Sequence, residues 1–187
     1  MILLRHGQSE FNVIYGRTRV DPGIEDPPLT ALGRRQAIAA AEVLRRHGIR
    51  RLISSPYTRA LETAGEIAGV LGLPVTVDPM VRERRAFSCD IGTVRSRLGQ
   101  KWPHLDLANL DERWWPEEPE TEAAVARRGG AFAARMREAR DWAQVAVITH
   151  WGLVFALTGQ RLGNCEAVRL EHDEAGGATV VASAVHP

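Results

Sequence analysis

Lysine is nearly absent from this chain of 187 residues: Lys101 is the only one, and the rest of the 24 basic residues are arginines. Coding bias is enough to produce such a surplus, so by itself it is given no functional weight. The 23 acidic residues balance it to a net charge of +1, which excludes whole-molecule attraction to nucleic acid or to an anionic membrane. Any recognition of anions must be local. Cysteine is scarce as well. Cys89 and Cys165 are too few for a disulfide framework and show no metal-ligand spacing, so they read as two thiols in a reducing compartment. Long apolar runs are missing: nothing approaches the roughly 20 consecutive apolar residues needed to span a bilayer. The expectation is a cytoplasmic protein with no membrane or nucleic-acid partner.

What is present suits a folded enzyme. Hydrophobic residues make up 44% and charged residues 25% of the chain, enough to bury a substantial core in one domain over residues 1–187. No linker, internal repeat or low-complexity segment interrupts it. Whether copies associate as a homo-oligomer is left open.

Hydrophobic patterning alternates strands with helices. Met1 to Leu4 reads as a buried strand ending at Arg5-His6-Gly7. Asn12 to Leu29, with Gly16, Pro22, Gly23, Pro27 and Pro28, reads as a long loop over that strand's end. Thr30 caps a helix over 31–46 whose inward face is Leu32, Ala40, Val43 and Leu44, and Gly48 ends it. A strand at 51–54 follows, then a helix capped by Ser55 with Pro56 at its first position, then a strand over 73–77. From Asp78 to Pro119 the pattern weakens into irregular cover rich in tryptophan and proline. A helix over 121–140, an apolar strand at 145–148 leading to His150, and a helix over 152–161 restore the alternation. Two last strands, 167–172 and 178–185, are joined by a turn at 174–177. The expected class is α/β: a three-layer α/β/α sandwich on a mostly parallel, mixed sheet with an antiparallel hairpin.

In open α/β sheets, ligands bind beyond the carboxyl ends of the strands. Three such ends here carry Arg5-His6, the segment from Ser54 to Arg59, and His150. Two arginines beside two histidines oppose a divalent metal but suit a phosphate carrying about two negative charges. Helix N-termini after Ser55 and after His150 would add backbone donors. A neutral imidazole is a competent nucleophile, and neighbouring arginines keep it neutral by lowering its pKa. Attack by His6 on phosphorus gives a phosphohistidine, with Arg5, Arg59 and His150 stabilising the equatorial oxygens. A carboxylic acid is still needed for the leaving alkoxide.

Set side by side, these pieces resemble the histidine phosphatase superfamily, in its phosphoglycerate mutase-like branch. Leu3 to Asn12 satisfies every position of the family's Arg-His-Gly signature. Pro28-Leu29-Thr30 with Leu32-Gly33, Ser54-Ser55-Pro56 with Thr58-Arg59-Ala60 and Glu62-Thr63-Ala64, Arg82-Glu83 and Thr149-His150 follow in the family's order. The resemblance covers residues 1–160. It implies a phosphoglycerate mutase-like fold, no cofactor or metal, and a small phosphorylated substrate. It further implies that His6 is the phosphorylated histidine, Arg5 and Arg59 the phosphate clamp, His150 the second histidine, Glu83 the proton donor, and Asn12 and Thr18 additional phosphate-pocket residues. Trp151, after the second histidine, departs from the small residue common there, and Arg84, Arg85 and Cys89 crowd the acid segment.

Several features carry simpler readings. Glu10, Glu25 and Asp90 rival Glu83 as the acid. Trp114, Trp115 and Trp151 are packing residues more often than ligand contacts, and His47, His104, His172 and His186 receive no role. The leading function is hydrolysis of small-molecule phosphomonoesters by a metal-independent phosphatase. The alternatives are a phosphoglycerate mutase, disfavoured by the short middle of the chain, and a non-catalytic module that binds a phosphorylated ligand.

Overall fold

A computed structural model describes residues 1–172 and 178–185. Its centre is one six-stranded sheet in the order β3-β2-β4-β1-β5-β6, formed by β1 (Ile2–Arg5), β2 (Arg51–Ser54), β3 (Val75–Val77), β4 (Val145–Thr149), β5 (Ala167–His172) and β6 (Ala178–Val185). The pairs β1·β4, β2·β4 and β2·β3 are parallel, while β5 runs antiparallel to β1 and to β6. The expected sheet class is therefore observed. The turn expected at 174–177 lies outside the described residues.

Alternation along the strands builds two cores. Ile2, Leu4, Leu52, Ala146 and Ile148 face one side, where α2 (Ala31–Arg46) and α3 (Thr58–Leu71) cover them. Met1, Leu3, Ile53, Val145 and Val147 face the other, beneath α5 (Glu122–Arg137) and α6 (Trp151–Thr158). These are the three layers of the sandwich. Within α2 the expected inward face holds for Ala40, Val43 and Leu44 but not for Leu32, which is 42% exposed. A third cluster of Tyr57, Leu61, Leu98, Leu107, Leu110, Trp114 and Trp115 binds the irregular cover, including α4 (Arg95–Lys101), to the end of the sheet.

Two local expectations are corrected. The stretch taken for a loop from Asn12 begins with a helix, α1 (Glu10–Thr18). Ser9 Oγ accepts from Asn12 N at 3.3 Å while Asn12 Oδ1 accepts from Ser9 N at 3.0 Å, a reciprocal cap that starts the helix despite Gly16. Helix α3 begins at Thr58, not at Pro56. Its cap comes from far away in sequence: Asp26 Oδ1 accepts from Thr58 N at 2.8 Å and Oδ2 from Thr58 Oγ1 at 2.7 Å. Ser55 Oγ meets His150 Nε2 at 2.7 Å and accepts from Tyr57 N at 3.4 Å, one residue ahead of the helix, so it reaches none of the helix's own N–H groups.

Candidate active site

The parallel register of β1, β4 and β2 brings the three strand ends together. His6 N donates to Thr149 O at 2.9 Å and Ser55 N donates to Ile148 O at 3.0 Å, so each chain leaves the sheet tied to its neighbour. The ring centroids of His6 and His150 then lie 5.1 Å apart. The turn after His6 passes so close to α2 that a side chain at Gly7 would meet Gly33 O at 2.5 Å, and one at Gly33 would meet Gln8 O at 2.1 Å. Both positions need glycine for this contact.

His6 is buried, with Nδ1 2.7 Å from Gly7 O. In the neutral ring Nδ1 therefore carries the proton and donates it, leaving a lone pair on Nε2. Burial, then Arg59, then Arg5 hold the His6 pKa well below its ordinary value of 6.5. His150 is depressed in the same way by burial, by Arg59 and by His6. Its Nε2 lies 2.7 Å from Ser55 Oγ, while Nδ1 is buried without a hydrogen-bond partner among the described residues.

The arginines are anchored by one edge each. Arg5 Nη1 donates to Leu162 O at 2.8 Å. Arg59 donates from Nη1 to Cys89 O at 2.6 Å and from Nη2 to Asp90 Oδ1 at 3.1 Å, and its guanidinium sits 4.5 Å from the Tyr57 ring centroid. Asp90, one of the rival acids, is thereby committed: its other oxygen accepts from Ala86 N and Phe87 N. Glu10 and Glu25 are exposed.

Glu83 stands on the cavity wall. Its Oε1 accepts from Arg84 N at 2.7 Å and its Oε2 from Gly152 N at 3.1 Å. Burial, then the Asp90 charge, raise its pKa above the ordinary 4.5 against those hydrogen bonds, which favours the protonated acid. Arg128 fixes the acid's backbone, donating from Nη1 to Met80 O and Arg82 O at 2.8 and 2.9 Å while pairing with Glu120 at 2.9 Å. One N–H of each helix N-terminus expected to donate to phosphate is taken by a carboxylate of the protein: Thr58 N of α3 donates to Asp26, and Gly152 N of α6 donates to Glu83.

Of the residues singled out in the sequence, Arg5, His6, Asn12, Arg59 and Glu83 line one cavity of about 670 Å³, together with Trp151, Arg84 and Cys89. His150 packs against His6 beneath it. Thr18 is not brought there. It is exposed, and its hydroxyl donates to Ile14 O at 3.0 Å within its own helix. Trp114 and Trp115 belong to the third core, with Trp114 Nε1 donating to Thr93 O at 2.9 Å. The sequence reading missed Asn164, whose Nδ2 donates to His6 O and to Asn12 Oδ1, each at 3.1 Å. It also missed Gly152. No cluster of residues able to hold a metal ion occurs among the described residues.

A doubly wound sheet with buried histidines and arginines at its carboxyl edge defines an α/β enzyme that handles phosphate. The chain belongs to the histidine phosphatase superfamily (branch 1), whose family model matches residues 1–181. It is 34% identical over 171 residues to a glucosyl-3-phosphoglycerate phosphatase of Mycolicibacterium vanbaalenii, covering 87% of this chain and 74% of the relative. A probable phosphoglycerate mutase of Yersinia enterocolitica is 28% identical, over 93% of this chain and 85% of the relative. Among solved structures, a mycobacterial glucosyl-3-phosphoglycerate phosphatase in complex with VO3 superposes with a TM-score of 0.68 at 27% identity, covering 96% of this chain and 95% of the other. The family and the phosphatase relatives place the chain among enzymes that hydrolyse phosphomonoesters.

Proposed function

We propose that the chain hydrolyses small phosphomonoesters through a phosphohistidine on His6 Nε2, with no metal. The observation that carries this reading is the His6 ring, buried, its pKa held down by burial and by the charges of Arg59 and Arg5, with its proton held on Nδ1 by Gly7 O. Nε2 attacks phosphorus as the ester P–O bond breaks, and Glu83 gives its proton to the departing oxygen. Arg5, Arg59, Asn12 and His150 bind the phosphoryl oxygens. Arginine forks suit that task because they match two oxygens at once. Water then attacks phosphorus, the ionised Glu83 takes its proton, the N–P bond breaks, and inorganic phosphate leaves.

The mycobacterial relatives make glucosyl-3-phosphoglycerate the first substrate to try, ahead of the mutase reaction. Both cysteines are free and buried, which suits the reducing setting of the cytoplasm. Among the described residues no helix is long and apolar enough to cross a membrane. The test is hydrolysis of p-nitrophenyl phosphate in EDTA. Wild-type protein should turn over and His6→Ala should not. Activity that needs added metal, or that survives in His6→Ala, refutes the reading.

A further inference from the structure

The cavity is far larger than a phosphoryl group, so most of its wall faces the part of the substrate that leaves. Two kinds of arginine line it. Arg5 and Arg59 at the floor are tied to backbone carbonyls, and Arg59 also to Asp90. Higher up, Arg84 is paired with Glu122 at 3.0 Å. Arg161 has no ion pair among the described residues, yet it is not a free surface chain. Its guanidinium lies 5.6 Å from the centroid of the Phe155 ring, which itself stacks at 5.1 Å and 6° on Trp151. A cation–π contact of this kind takes up no N–H donor in a hydrogen bond, so the guanidinium keeps its donors for an anion.

The position of Arg161 is also fixed relative to the reacting group. The next residue, Leu162, supplies the carbonyl that holds Arg5 Nη1, and Asn164 holds His6 O and Asn12. The short segment after α6 is thus pinned to the Arg5-His6 corner at two points. Arg19, also on the wall and without an ion pair among the described residues, has its guanidinium 5.9 Å from the Tyr15 ring centroid, but it ends α1 in a left-handed conformation beside exposed Val20 and lacks the tie to that corner.

We propose that Arg161 forms a second-anion subsite, taking a carboxylate or second phosphate on the leaving group while the reacting phosphate occupies the floor. This rests on the phosphatase reading above and adds to it a substrate class: phosphomonoesters that carry a further anionic group beyond a small organic body. An exposed arginine engaged by one charge-assisted contact with a ligand contributes binding at the level of about tenfold in affinity.

The test compares phenyl phosphate, 4-carboxyphenyl phosphate and 1,4-phenylene bisphosphate on wild type, Arg161→Gln and Arg161→Lys, with thermal melting to confirm folding. In Arg161→Gln, kcat/KM should fall about tenfold further for at least one of the two esters with a second anionic group than for phenyl phosphate, mostly through KM, and Arg161→Lys should restore part of the difference. Whichever ester suffers more identifies the preferred anion. Equal losses on all three esters, or none, overturn the subsite while leaving the phosphatase reading intact. Wild-type protein that hydrolyses none of them overturns both.

Discussion

Gly152 and Glu83 are fitted to one another: the Gly152 amide donates to Glu83 Oε2 at 3.1 Å, and a side chain on Gly152 would stand 2.3 Å from Oε1. A glycine at the start of α6 thus lets a helix N-terminus hold the acid directly. Gly152→Ala should displace the carboxyl from that seat. On an alkyl phosphate, kcat should fall by about 10²-fold, the low end of what a positioned general acid contributes. Wild-type kcat on alkyl phosphates would show that the seat is not required.

The acid itself is tested by leaving group. Glu83→Gln keeps the size but removes the transferable proton, and it turns one of the two oxygens that accept from Arg84 N and Gly152 N into a donor. Turnover of glycerol 2-phosphate, whose alkoxide needs a proton, should fall far more than turnover of p-nitrophenyl phosphate, whose phenolate does not. Equal losses on both esters move the acid role to another group.

His6 and His150 should stay neutral in the free protein as the pH falls through 6.5, because burial and the arginines depress both. Between their folded values and 6.5, the unfolded chain binds more protons than the folded one, so stability falls as pH falls. Glu83 acts in the opposite sense. Its raised pKa means the folded chain keeps a proton that the unfolded chain releases above 4.5, so its contribution declines as pH rises through that interval. A ring-proton NMR titration checks the histidines: two rings unprotonated well below pH 6.5 are expected, and protonation of both at or above 6.5 contradicts the geometry.

Asp90→Ala removes the partner of a buried arginine and the acceptor of two backbone amides at once. Breaking a buried pair on one side costs about 3–5 kcal/mol, so chemical denaturation should show a loss of that order together with weakened phosphate binding. A change under about 1 kcal/mol would place the Arg59–Asp90 pair among weak, screened contacts.

The legible parts of this protein were local. The Arg5-His6-Gly7 turn, the strand expected at 145–148 and the cap at Thr30 are each encoded within a few residues, and the structure has the strand at Val145–Thr149 and the cap at Thr30. Helix α1 was hidden because Gly16 and the prolines beyond it resemble a loop, while the cap that starts it uses asparagine at Asn12 in place of the usual glutamate. The start of α3 could not be read at all, since its cap, Asp26, is supplied by another loop. The same distance hid Asn164 behind His6 and made Asp90 look like a rival acid instead of the partner of Arg59. Trp114 and Trp115 give no periodic signal, because they pack a cover without regular structure.

The central claim is the covalent intermediate, and trapping it is the most direct test. Protein mixed in EDTA with a phosphate-labelled ester, quenched within milliseconds and mapped by peptide mass spectrometry, should carry an alkali-stable, acid-labile label on His6 that His6→Ala lacks. Label on another residue, or rapid hydrolysis under conditions that preserve phosphohistidine with no label on His6, would contradict the mechanism.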